Sequence, residues 1–106
     1  MSGLAFNQTI FSGSVLKGID LSNAIIHNCI LQNTDLTMAN LSNADFSKSS
    51  LIGRNLESAK LYNTNFNDTD LTNVNFIRAF VNKISLVNAK LDGTKGLDGQ
   101  GSKNIE

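Results

Sequence analysis

The chain contains no proline and no tryptophan, and only one cysteine, one histidine and one tyrosine among its 106 residues. Each scarcity excludes something. Proline is the residue that cannot donate to a backbone ladder, so its absence leaves the whole chain open to continuous strand pairing. A single cysteine, Cys29, allows no internal disulfide and suits a reducing compartment. Met1–Ile10 has neither a charged leader segment nor an apolar run, so no signal peptide is expected and the expected location is cytoplasmic. A mature form cut from a longer precursor would read the same way. His27 has no second histidine or cysteine at ligand spacing, which argues against a metal site.

Charge of one sign is lacking too. Nine basic and nine acidic residues cancel to a net charge of zero. A general nucleic-acid binder would carry a basic excess or stripe, so no nucleic-acid partner is expected. No apolar run approaches the ~18 residues of a membrane-spanning helix, so no membrane partner is expected. Serine–histidine–aspartate, cysteine–histidine, P-loop and dinucleotide-binding patterns are all missing, which points away from an enzyme and from any cofactor.

What is present is a repeat. Ala39-Asn40-Leu41-Ser42-Asn43 is followed by Ala44-Asp45-Phe46-Ser47-Lys48, two copies of one five-residue unit. The apolar centre of the unit recurs without a slip at Phe6, Phe11, Leu16, Leu21, Ile26, Leu31, Leu36, Leu41, Phe46, Leu51, Leu56, Leu61, Phe66, Leu71, Phe76, Val81, Leu86 and Leu91. A period of five suits neither regular element. On an α-helix it turns the centre by ~140° per unit, and on a flat strand successive centres alternate faces. A chain that turns a corner every five residues keeps all centres inside. Four corners close a square coil of twenty residues, and coils stack at the strand-pairing distance of ~4.8 Å.

Two further position classes agree. The residue two before each centre should point inward and be small, as at Ala24, Cys29, Ala39, Ala44, Ser49, Ala59, Thr64 and Thr69. The residue two after it lies at the corner and is often glycine or asparagine: Gly13, Gly18, Asn23, Asn28, Asn33, Asn43, Gly53, Asn63, Asn73, Asn88 and Gly93. These residues enter left-handed turn conformations at least cost. With Ala39-Asn40-Leu41, Ala44-Asp45-Phe46, Ala59-Lys60-Leu61 and Ala89-Lys90-Leu91, the chain resembles the pentapeptide-repeat proteins, whose pattern is A(D/N)LXX. The resemblance covers residues 4–93. It implies an all-β fold, a right-handed quadrilateral parallel β-helix of about four and a half coils, and a bacterial or cyanobacterial setting.

Residues twenty apart stack in columns. One core stack should comprise Phe6, Ile26, Phe46, Phe66 and Leu86, and Asn23, Asn43 and Asn63 should form a corner column open to an amide ladder. After Leu91 the register fails, since position 96 is glycine and Leu97 arrives one residue late. Residues 1–97 are therefore expected to form the helix with a short cap at Thr94–Leu97, and residues 98–106 a flexible polar tail.

Arg54 occupies an inward position. A buried unpaired guanidinium costs several kcal/mol. Its head is expected to leave the core past Gly53, towards Glu57 or Asp35; the alternative is an irregularity that marks a contact site. Cys29 reads as a small buried hydrophobe. Asp68 with Asp70, and Asp35 with Glu57, read as solvated carboxylates of the repeat, and no pocket is implied because the centres fill the core. Outward apolar residues form the candidate protein-contact surface: Ile10, Ile30 and Ile52 on one side, Tyr62 and Phe80 on another.

The expected function is a non-enzymatic scaffold whose partner is another protein, the chain itself being a monomer or a weak end-to-end dimer through open coil edges. The resemblance offers one alternative, the quinolone-resistance proteins that engage DNA gyrase as DNA mimics. Zero net charge, the mixed column Asp20, Asn40, Lys60 and Phe80, and the lack of a C-terminal dimerisation helix all count against it.

Overall fold

The computed structural model describes residues 3–12, 16–32 and 34–97. Among the described residues lie six short strands: β1 (Ala5–Asn7), β2 (Ile10–Ser12), β3 (Ile25–His27), β4 (Ile30–Gln32), β5 (Lys60–Tyr62) and β6 (Phe80–Asn82). Each pairs in parallel with the strand twenty residues away, so that Phe6 opposes Ile26, Phe11 opposes Leu31 and Leu61 opposes Val81. Single bridges carry the same offset elsewhere, from Asp20–Asn40 through Asp45–Asn65 to Asn75–Lys95. One turn of the coil is thus four five-residue units, and the architecture is a quadrilateral parallel β-helix.

The corners explain the period. The N–H of the small inward residue donates to the carbonyl of the preceding centre, as from Ala24 to Leu21, Ala39 to Leu36 and Ala59 to Leu56. This closes a four-residue turn whose third residue must take a positive φ, the demand of a type II turn. Every described residue two after a centre has one. Glycine and asparagine were the expected occupants, yet Gln8, Met38, Lys48, Ser58, Asp68, Arg78 and Lys83 adopt φ of 57–64° as well. The backbone requirement is uniform and the residue preference is not. The corner N–H also binds the next coil: Asn23 donates to Ser42, Met38 to Glu57 and Asn43 to Tyr62. At the Asn23–Asn43–Asn63 column the backbone N–H groups make coil-to-coil bonds.

Leu and Phe centres fill the tube. Phe46 and Phe66 are fully buried and stacked, with centroids 5.5 Å apart and planes 18° apart, and Phe76 meets Phe66 edge-on at 6.2 Å. Burying each such ring contributes about 1.5–3 kcal/mol. Phe6 and Leu86, at the two ends of the same column, are half-buried. Buried hydroxyls of the inward small positions bond to the coil below. Ser49 Oγ donates to the Ile26 carbonyl at 2.5 Å, Thr64 Oγ1 to Leu41 at 2.8 Å and Thr69 Oγ1 to Phe46 at 2.8 Å.

One expected core residue lies elsewhere. Leu91, read as an inward centre, is 37 % exposed. Among the described residues no further full coil covers it, so this unit has little to pack against. Beyond it Lys95 still bridges to Asn75, and Gly96 then takes φ +92° beside the backbone of Phe76 and Ile77, leaving no room for a side chain. A Cβ there would lie 2.6 Å from the Ile77 nitrogen. The slip places Leu97 against the core cluster, 8 % exposed. The tail assigned to residues 98–106 lies outside the described residues, as do Gly13, Ser14 and Asn33.

Candidate functional site

Outward positions are set by the register. In β2 and β4, Ile10 stands directly opposite Ile30, and Ile30 is bridged to Ser50 on the next coil. Ile52 follows Ser50 on the same side. Ile10, Ile30 and Ile52 are between 40 and 63 % exposed. Two grooves meet there. One of about 390 Å³ runs along the adjoining corner past Asn28, Lys48, Asp68 and Asn88; the other, of about 190 Å³, lies between Ile30, Ser50, Ile52 and Arg54. Ile30 and Ser50 line both, so the two grooves are neighbours on this wall. Against the expectation that no pocket is implied, the outer wall carries these two grooves.

Arg54 turns out of the tube. It is half-buried, and its Nε donates to the Ile52 carbonyl at 2.7 Å, a neighbour two residues back along its own chain. It reaches neither expected carboxylate. Glu57 instead accepts from Arg78 Nη1 at 2.6 Å, and Asp35 Oδ1 accepts the Thr37 N–H at 2.9 Å and the Thr37 hydroxyl at 2.5 Å. Among the described residues Arg54 makes no ion pair.

Tyr62 and Phe80 lie on a different side. In the β5–β6 pair Phe80 opposes Lys60 and Tyr62 opposes Asn82, which makes the two aromatics diagonal neighbours on one outward face. Both are exposed, but the fold does not bring them to the isoleucine side. Ile25, Met38, Ile77 and Val87 are also exposed and were not singled out from sequence. Their signal was available, since each sits next to a centre or at a corner of the five-residue register.

The acidic residues serve the repeat. The Oδ1 of Asp20, Asp35, Asp45 and Asp70 accepts the N–H two residues on, and so do Asn40, Asn55, Asn65 and Asn75. That is an Asx turn, the physical reason for aspartate or asparagine before the centre. Hydrogen bonds from Ser22, Thr37 and Thr72 hold the carboxyls of Asp20, Asp35 and Asp70 below their ordinary value. At Asp45 burial opposes this, but bonds from Ser47 and from His27, whose Nε2 lies 2.7 Å from Asp45 Oδ2, outweigh it. Cys29 is buried, its Sγ 3.3 Å from the His27 carbonyl and its N–H donating to Ser49 Oγ at 3.0 Å. Among the described residues no group of three acidic, histidine or cysteine side chains could hold a metal, and no helix is long and apolar enough to cross a membrane.

A coil of four quintets, an inward small residue, an Asx turn and a left-handed corner together define a single repeat type. The family profile described as a pentapeptide repeat region matches residues 1–76. The chain belongs to the pentapeptide-repeat family. Among curated proteins, none matches the sequence. Solved pentapeptide-repeat structures do. HetL, from the cyanobacterium Nostoc sp. strain PCC 7120 and involved in heterocyst differentiation regulation, is 26 % identical with a TM-score of 0.84, over 88 % of this chain and 39 % of HetL. A pentapeptide-repeat protein of the Arabidopsis thaliana thylakoid lumen is 26 % identical with a TM-score of 0.43, over 89 % of this chain and 58 % of its own. QnrB1, a plasmid-mediated fluoroquinolone resistance protein, is 16 % identical with a TM-score of 0.36, over 88 % of this chain and 68 % of its own. This pentapeptide-repeat chain therefore spans about two fifths of the length of HetL.

Proposed function

We propose that this pentapeptide-repeat chain is a non-enzymatic interaction module that docks a protein partner on the side bearing Ile10, Ile30 and Ile52. One observation carries the reading: Ile10, Ile30 and Ile52 stand exposed on one side, and Ile30 and Ile52 line neighbouring surface grooves there. Apolar surface gathered beside polar residues is the usual mark of a contact site, and repeat solenoids present such walls as rigid platforms. The likeness to HetL, a protein of regulation, accords with a role exerted by contact. The chemistry around the grooves supports the same view. Asp70, in the lining of the larger groove, is occupied by Thr72, so it is not poised as a general base.

Affinity capture from native extract tests this. The unaltered chain should retain a partner, and the pair Ile30→Ser with Ile52→Ser should release it at unchanged melting temperature. Equal capture by both chains would overturn the reading.

A further inference from the structure

Arg54 is the one inward position of the repeat, among the described residues, that carries a charge. Its surroundings make the charge conspicuous. Arg54 lines the smaller groove together with Ile30, Leu31, Ser50 and Ile52. Nε is used by the Ile52 carbonyl, which fixes the plane of the group beside the isoleucines. The carboxylates nearest in the register are taken, Glu57 by Arg78 and Asp35 by Thr37. A half-buried cation beside apolar side chains is costly to leave unpaired, and an alanine or threonine fills the equivalent position in many other five-residue units without that cost.

We infer that Arg54 is the recognition residue of the docking side, and that the occupant is a partner-protein segment presenting a carboxylate next to an aliphatic or aromatic side chain. The apolar group seats between Ile30 and Ile52. The carboxylate meets the two terminal nitrogens of Arg54, which are arranged as a fork suited to two oxygens. The bond strengthens because the apolar side chains exclude water from one side. The neighbouring larger groove is lined by Lys48, Asp68, Asp70 and Lys90, both signs of charge, and so selects no single sign. Arg54 is the one charged residue in the lining of the smaller groove, and charge complementarity assigns the partner's acid to it. This inference rests on the docking reading above and adds the chemistry of the partner.

Displayed random peptides, selected on the intact chain, supply the probe. Selected peptides should share an acidic residue adjacent to a large apolar one. Arg54→Ala should weaken the best peptide about 10- to 100-fold, the range expected for a charged hydrogen-bonded contact. Replacing the peptide's acid by its amide should cost the same, and the two changes together should cost little more than either. Arg54→Ala places a small residue at a position where small residues already pack, so its melting temperature should stay level or rise, separating loss of recognition from loss of fold. Peptides that lack an acid, or that bind Arg54→Ala equally well, would overturn the inference. If Ile30→Ser and Ile52→Ser still abolished their binding, the docking side itself would stand. Failure to select any peptide, or a self-associated dimer that Arg54→Ala dissolves, would overturn the inference as well, the first taking the docking reading with it.

Discussion

At the scale of single residues, the inward small position does two jobs. It lets the corner close, and where it carries a hydroxyl it ties one coil to the next. Ser49 shows both. Its Oγ donates to the Ile26 carbonyl and accepts the Cys29 N–H at 3.0 Å, so one side chain satisfies a buried donor and a buried acceptor. Ser49→Ala keeps the volume nearly unchanged but strands both groups. The expected loss is about 1–3 kcal/mol, the cost of buried polar groups without partners, measurable as a lower denaturant midpoint at constant slope. The aspartate or asparagine before the centre has an equally local purpose. It bonds the N–H two residues on, which the ladder does not otherwise use.

The element in this fold is the corner rather than the strand. The six described strands of three residues account for little of the chain, whereas a positive φ recurs at each described corner. Met38 holds φ 61° with no glycine or asparagine advantage and is exposed. Met38→Gly should therefore stabilise the protein, by up to ~1 kcal/mol once relief of the left-handed penalty is set against glycine's greater chain entropy. A small rise in melting temperature would register it. The closing element behaves oppositely. At Gly96 both φ and the contact with the Phe76–Ile77 backbone exclude a side chain. Gly96→Ala should cost about 1–3 kcal/mol, the scale of a forced backbone conformation. It should also unseat Leu97 and hasten tryptic cleavage after Lys95.

For the molecule as a whole, the paired carboxyls make stability depend on pH in a defined direction. Asp20, Asp35, Asp45 and Asp70 have folded-state values below the ordinary 3.8. The unfolded chain thus binds protons more readily, so these groups stabilise the fold fully above about 3.8 and lose that contribution as pH falls through their lower folded values. Denaturant midpoints should hold steady from neutral pH to about 5 and decline below 4. Asp35→Asn with Asp70→Asn keeps the accepting oxygen and removes the titration, so the acid decline should become shallower. An unchanged decline would show that other carboxyls control it.

Much of this protein was legible in its amino-acid order, because the physics of the repeat is local. A centre every five residues, a small residue two before it and a turn residue two after it leave only a chain that bends at each unit. Those positions identify Phe46 and Phe66 as stacked neighbours before any coordinate is known. Other features depend on which coil lies above or below, and on where a flexible side chain comes to rest. Leu91 has an apolar centre's place in the repeat, but its exposure follows from the end of the stack. Arg54's turn towards the Ile52 carbonyl, and the engagement of Glu57 by Arg78, were settled by three-dimensional competition among charges that sequence spacing makes equally available. The groove joining Ile30, Ile52 and Arg54 arises in the same way, from the relief that separate coils create when they are stacked side against side.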